Sequence, residues 1–151
     1  KENGFSYWLN PSPTHYVAKG FGVYPTVQEI ELKSGQTVTA SFFVRSAWGV
    51  QTNQGGKINV SHNDKISAQI VEPEFFIGYA FPKFSKNWVK KIDVIISASQ
   101  NLEPSTHELT FSFSNASDKK IKEWSTLENR AFYELEQVSE SLNPKIIVKI
   151  I

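Results

Sequence analysis

The residues best able to do chemistry in this chain are its three histidines, a scatter of carboxylates and a dense group of aromatics. His15, His62 and His107 lie far apart, and none belongs to an HxH or HExxH spacing. No cysteine is present to complete a ligand set. A metal centre would therefore need the fold to bring His62 and His107 together from the ends of their strands. Exposed or loop-packed imidazoles are the simpler expectation. Glu72 and Glu74 flank Pro73 as a carboxylate pair, but nothing positions a third group, so solvated surface charge is expected. Asp64 and Asp118 fall in turn or cap contexts. GxSxG and Walker-type spacings are absent. Gln54-Gly55-Gly56 precedes a strand rather than a helix, so it lacks the amides of a phosphate cradle and reads as a flexible loop.

The aromatics are more suggestive. Phe75, Phe76, Tyr79, Phe81, Phe84 and Trp88 crowd into 73–88, a stretch broken by Pro73, Gly78 and Pro82. Exposed rings of this kind stack on sugars or fill a partner's pocket. Packed ones close the end of a core or lie beneath a helix. Trp48 stands near the start of a polar Gly/Asn/Gln loop, 47–56, and is the residue expected as an exposed contact. With Gln51, Asn53, Tyr79 and Trp88 it makes up the candidate binding set. Asn59-Val60-Ser61 and Asn115-Ala116-Ser117 match the N-glycosylation pattern. If Val60 points inward, Asn59 points outward.

These side chains must be carried by strands. Val27, Ile30 and Leu32 are interleaved with Glu29, Glu31 and Lys33, and after Ser34-Gly35-Gln36 a second run puts Val38, Ala40, Phe42 and Val44 on one face. Such alternation predicts a strand pair with one buried face, joined by a turn that tolerates positive φ. Runs at 57–62 and 65–72, separated by Asn63-Asp64, read as a hairpin. A short strand is expected around 75–81. Ile92, Val94, Ile96 and Ala98 are in phase over 90–99, as are Leu109, Phe111 and Phe113 in the next run. The terminal KIIVKII reads as a strand buried within a sheet. Between these last two strands, Leu127, Ala131, Leu135, Val138 and Leu142 recur at helical intervals after a Ser125/Glu128 capping box, and Pro144 ends the run. The spacing predicts a helix over 126–142. A start near Asp118 would bring Ile121 and Trp124 onto the same side.

Composition narrows the class without naming a chemistry. A chain of 151 residues with 40% hydrophobic and 21% charged residues is a folded domain rather than a disordered segment. A formal net charge of +1 gives no reason to expect nucleic acid or an acidic membrane surface as partner. No stretch approaches the roughly 18–20 consecutive apolar residues of a membrane span. The chain begins at Lys1 and lacks methionine, which points to a processed or truncated chain whose leader or anchor has been removed. Residues 1–22, with Asn10-Pro11-Ser12-Pro13, read as an extended aromatic-rich lead-in to a single domain over 23–151.

The run FGVYPTVQEIELKSGQTVTASFFV resembles the opening of immunoglobulin-like domains in microbial envelope proteins. VKKIDVIISASQNLEPSTHELTFSF is similar to their late strands around a proline-bearing loop. The resemblance covers roughly 23–46 and 90–114, and a helix at 126–142 departs from the usual short connection. It implies an immunoglobulin-like antiparallel β-sandwich of about seven to nine strands, with that helix before the last strand. It also implies an extracellular or cell-surface interaction or scaffold module, in a pilus, surface layer or envelope assembly, without shared catalytic residues or cofactor. The expected partner is a protein or another copy on the cell surface, with any membrane link supplied by an anchor outside the chain. The alternatives are a carbohydrate-binding module that stacks sugars on Trp48, Tyr79 or Trp88, and a metal-binding sandwich built on His62 and His107.

Overall fold

The computed structural model describes residues 16–18, 21–46, 53–79, 83–133 and 143–151. Trp48, Gln51, Phe81 and His15 lie outside them. The chain is mainly β, with eleven strands and one helix among the described residues. A five-stranded sheet contains β1 (Tyr16–Ala18), β2 (Phe21–Pro25), β4 (Thr37–Ser46), β8 (Val89–Ala98) and β6 (Ile66–Ile70), in that spatial order. The second sheet has the order β10 (Phe132–Tyr133), β5 (Asn53–Val60), β9 (Ser105–Asn115), β11 (Lys145–Ile150), β3 (Glu29–Leu32), and β7 (Glu74–Ile77) also pairs with β5. Most neighbours are antiparallel; β11 runs parallel to β3, and β10 parallel to β5.

Period-two patterning produces the two inner faces. Val38, Ala40, Phe42 and Val44 on β4 meet Ile92, Val94, Ile96 and Ala98 on β8, and all but the half-buried Val38 are buried. Opposite them stand Leu109, Phe111 and Phe113 of β9 and Ile146, Val148 and Ile150 of β11. Phe42 and Phe111 bridge the sheets edge to face, 4.8 Å between ring centroids. Contacts of that kind are worth about 0.5–1.5 kcal/mol beyond the area they bury. The terminal strand is internal, flanked by β9 and β3, as its apolar run predicts.

The two runs on either side of Ser34-Gly35 do form strands, but in opposite sheets. Gly35, at φ +78°, makes the turn between them. Gln36 N–H donates to the Lys33 carbonyl at 3.0 Å, and the Gln36 side chain accepts from Lys33 N–H at 2.8 Å. Gly35 N–H and the Ser34 hydroxyl both donate to the Ser99 carbonyl, so this turn is tied to the one after β8.

Several expectations are corrected. The predicted hairpin at 57–62 and 65–72 does not exist: β5 and β6 lie in different sheets. Asn63 spends its side chain on the Lys65 and Ile66 N–H groups, which bends the chain from one layer to the other. Gln54-Gly55-Gly56 is not a flexible loop but the buried first half of β5. Phe21, wholly buried, opens β2.

The helix takes the earlier start near Asp118, with Ile121 and Trp124 on one side. It spans Asp118–Glu128 as α1, so of the stretch expected from 126 only 126–128 are helical among the described residues. Ser117 caps it by accepting from Lys120 N–H, and Asp118 sits in its first turn, favourable to the helix dipole. Asn129 ends it in the left-handed conformation, with Asn129 and Arg130 N–H groups returning to Thr126 and Ser125 carbonyls. Two of the positions predicted as helix, Phe132 and Tyr133, pair with β5 instead. The remainder, 134–142, lies outside the described residues.

At Gly56 the core rings close on the β5 backbone. A Cβ placed there falls 2.7 Å from the Phe21 ring and 2.8 Å from the Phe75 ring, and both rings belong to one aromatic group with Phe113. Overpacking of this kind costs about 1–3 kcal/mol. Gly56→Ala should lower the unfolding free energy, read from denaturant titration, by that amount, and an unchanged value would mean that the rings yield freely.

Candidate functional site

The most elaborated surface lies on the outer side of β5, β7 and β10, where α1 docks. None of the helix residues is fully buried, so it adheres through one narrow stripe. Ile121 and Trp124, three residues apart, sit over Gly55, where any Cβ would collide with the Ile121 methyl. Trp124 then joins Phe76 of β7 and Phe132 of β10, with ring centroids 5.4 and 6.2 Å away, and Phe76 lies 5.6 Å from Phe132. A smaller polar cluster continues the patch. The Arg130 guanidinium stacks 3.9 Å from the centre of the Tyr79 ring, close enough for a cation–π contact of about 0.5–2 kcal/mol.

The start of α1 is fastened to the sheet by a carboxylate. Glu74 Oε2 accepts the Ser117 backbone N–H at 2.8 Å, and the Ser117 hydroxyl donates to its other oxygen at 3.5 Å. The Ser117 backbone N–H is the main reason the Glu74 carboxyl is held below its ordinary value; burial opposes this, while the Ser117 hydroxyl and the charges of Lys57 and Lys120 assist. Glu72 turns elsewhere and pairs with Lys90 at 3.1 Å. The two glutamates flanking Pro73 thus have separate partners and form no carboxylate dyad.

Asn53 and Gln54 begin β5 and are each only 1% exposed. Asn53 Oδ1 accepts Tyr79 N–H at 3.1 Å, while its Nδ2 and both amide atoms of Gln54 find no hydrogen-bond partner among the described residues. Asn53 therefore braces the loop after β7 and presents nothing to solvent.

The other expected residues are dispersed. Tyr79 is half-buried with one face under Arg130. Trp88 is half-buried and lies 4.6 Å, ring to ring, from Phe84, which is 55% exposed. Phe75 belongs to the core and Phe76 lies under the helix. Of the candidate set, Asn53 and Tyr79 meet; Trp88 belongs to a different cluster. His62 pairs with Asp64 at 2.8 Å on an exposed turn, and His107 meets the Ser105 hydroxyl at 2.9 Å. Among the described residues no group of three or more His, Asp or Glu side chains could hold a metal ion. Asn59 is exposed on the outer side of β5; Asn115 is exposed too, but the Ser117 of its triplet is engaged as the helix cap.

Sequence reasoning missed Glu74, Arg130 and Ser117 as parts of one assembly. A Ser-Asp pair opening a lysine-rich helical stretch was a legible cap signal, whereas nothing in the sequence points from Glu74 to Ser117. Neither a protein-family model nor a curated protein matches the chain. No helix among the described residues is long and apolar enough to cross a membrane.

Because the folded carboxyl of Glu74 titrates below the unfolded one, its contribution is complete above the ordinary glutamate range. It is lost as pH falls through the lowered folded value. The gap in melting temperature between the native chain and Glu74→Gln should be widest near neutrality and close on acidification. A gap independent of pH would show that charge plays no part. Ser117→Ala removes the cap and should cost about 0.5–2 kcal/mol.

Proposed function

We propose that this is a non-catalytic interaction or scaffold domain of a microbial surface structure, built on an immunoglobulin-like plan. The strand order carries this reading. Taken as strands A, B, E and D, the series β2-β4-β8-β6 follows one sheet of the immunoglobulin pattern, and β5-β9-β11 follows the other as C, F and G. On this reading β3 belongs with the first strand but has crossed to lie parallel to the last, and β7 and α1 are additions to the basic plan. Sandwiches of this type present their loops and edges while the sheets act as frame, and the inference from fold to role is by analogy. The outer side of β3, β9 and β11 suits such a frame. It carries the crossed ion pairs Lys145–Glu108 and Lys149–Glu29 at 2.9 and 3.1 Å, which are solvated and worth little each.

The location is tested by treating intact source cells with a membrane-impermeant amine reagent. Labelling of this protein before lysis is the expected result. Labelling only after lysis overturns the surface reading.

A second reading rests on the Phe84–Trp88 pair, whose exposed ring surface suits stacking on a sugar. Titration with oligosaccharides should quench tryptophan fluorescence in the native chain and lose that response in Trp88→Ala. Quenching that survives this substitution removes the pair from consideration, and no quenching by any sugar leaves the protein-binding reading alone.

A further inference from the structure

Among the described sheet edges, β6 differs from the rest in chemistry. The edge strand β3 carries Glu29 and Glu31, both exposed, the kind of charge that blocks edge pairing. The edge strand β10 has two residues and β1 three. The five residues of β6, ISAQI, carry no charge, and Val71 just beyond them is 54% exposed.

The hydrogen-bond phase of β6 is fixed by its neighbour. Ser99 N–H donates to the Lys65 carbonyl, and Val71 N–H to the Asp93 carbonyl. Odd-numbered residues of β6 therefore bond to β8. The backbone groups of Ile66, Ala68 and Ile70 point to the open side of the sheet. The Ile66 N–H is occupied by Asn63 Oδ1 at 3.0 Å; the Ala68 and Ile70 N–H groups face outward.

We propose that β6 pairs antiparallel with β6 of a second copy of this chain, about a two-fold axis at Ala68. The inference names the partner and the edge used by the scaffold reading above, and in that sense it rests on it. Each Ala68 then exchanges both backbone bonds with its counterpart, and each Ile70 N–H reaches the Ile66 carbonyl of the other copy. The Ile66 N–H, already held by Asn63, is not needed. Ile66 faces Ile70 of the second copy on the inner side of the joined sheet, and Ser67 faces Gln69 on the outer side. No like charges meet within the strands. At the strand ends Lys65 comes opposite the exposed Val71 of the second copy, while Asp64 and Glu72 lie outside the paired strands. A pair of strands this short buries less than the ~1,200 Å² of a stable interface, so the association is dynamic, with a dissociation constant on the order of 0.1–1 mM. On a crowded surface, where copies are held side by side, that strength suffices through effective concentration.

Sedimentation of the whole chain from about 0.01 to 1 mM, together with amide exchange resolved by residue, tests the proposal. A monomer–dimer equilibrium is expected, with exchange at Ala68 and Ile70 slowing as concentration rises, while residues bonded to β8 are protected throughout. Ala68→Pro deletes only an outward-facing N–H, a change an edge strand accepts, and should weaken dimerisation about tenfold or more. Gln69→Lys, on the outer side, leaves every backbone bond in place and should weaken it by about fivefold through like-charge repulsion. A single monomeric species up to the highest concentration overturns the proposal. So does a dimer whose Ala68 and Ile70 exchange is insensitive to concentration, since another surface must then be in use. Either failure leaves the surface-labelling result intact, whereas absence from the cell surface defeats the functional reading and leaves the dimer standing.

Discussion

Two successive residues without side chains let one strand be closed upon from both sides. At Gly56 the Phe21 and Phe75 rings come down from the core, and at Gly55 the Ile121 and Trp124 side chains of α1 come down from outside. A side chain at either position would push a layer away. The aromatic group of the inner face and the aromatic patch of the outer face are thus held at a spacing set by the β5 backbone itself. The helix has little else to rely on, because none of its residues is fully buried.

That arrangement explains why the neighbouring polar groups are so closely linked. A helix resting on one stripe needs fastening at its ends. Ser117 and Glu74 hold the first turn, while Asn129 reverses the chain so that Arg130 covers Tyr79 and Phe132 reaches the side of β5. Tyr79 in turn gives its N–H to Asn53, at the buried end of β5. Packing, capping and the bracing of the loop after β7 are therefore parts of one junction.

How much of this was legible in the sequence follows from the range over which each signal acts. Alternation is local, and it placed the inward residues of β4, β8 and β9 correctly because burial on one face demands it. Sheet membership is not local. A turn such as Ser34-Gly35 or Asn63-Asp64 reads identically whether it folds a hairpin or carries the chain to the opposite layer, and here both change layers. Gly-Gly after a run of polar residues looked like loop because its role depends on rings brought in from 21, 75, 121 and 124. The stripe from Leu127 to Leu142 was periodic, but Asn129 can adopt the left-handed conformation, and a helix signal does not outlast a stop of that kind. The candidate site suffered most, since the Glu74 to Ser117 contact spans two elements in different parts of the chain.

The parallel pairing of β3 with β11 has a consequence for how the protein is made. Glu29–Leu32 leaves the ribosome long before the strand beside it, Lys145–Ile150. Between those events β9 has no partner on its β11 side, and the six-stranded sheet stays open along its middle while the five-stranded one can already be complete. Loop closure over so long a separation is slow. The nascent chain therefore passes through a stage in which the apolar row Leu109, Phe111 and Phe113 is only half covered, the kind of surface that engages a chaperone until β11 emerges.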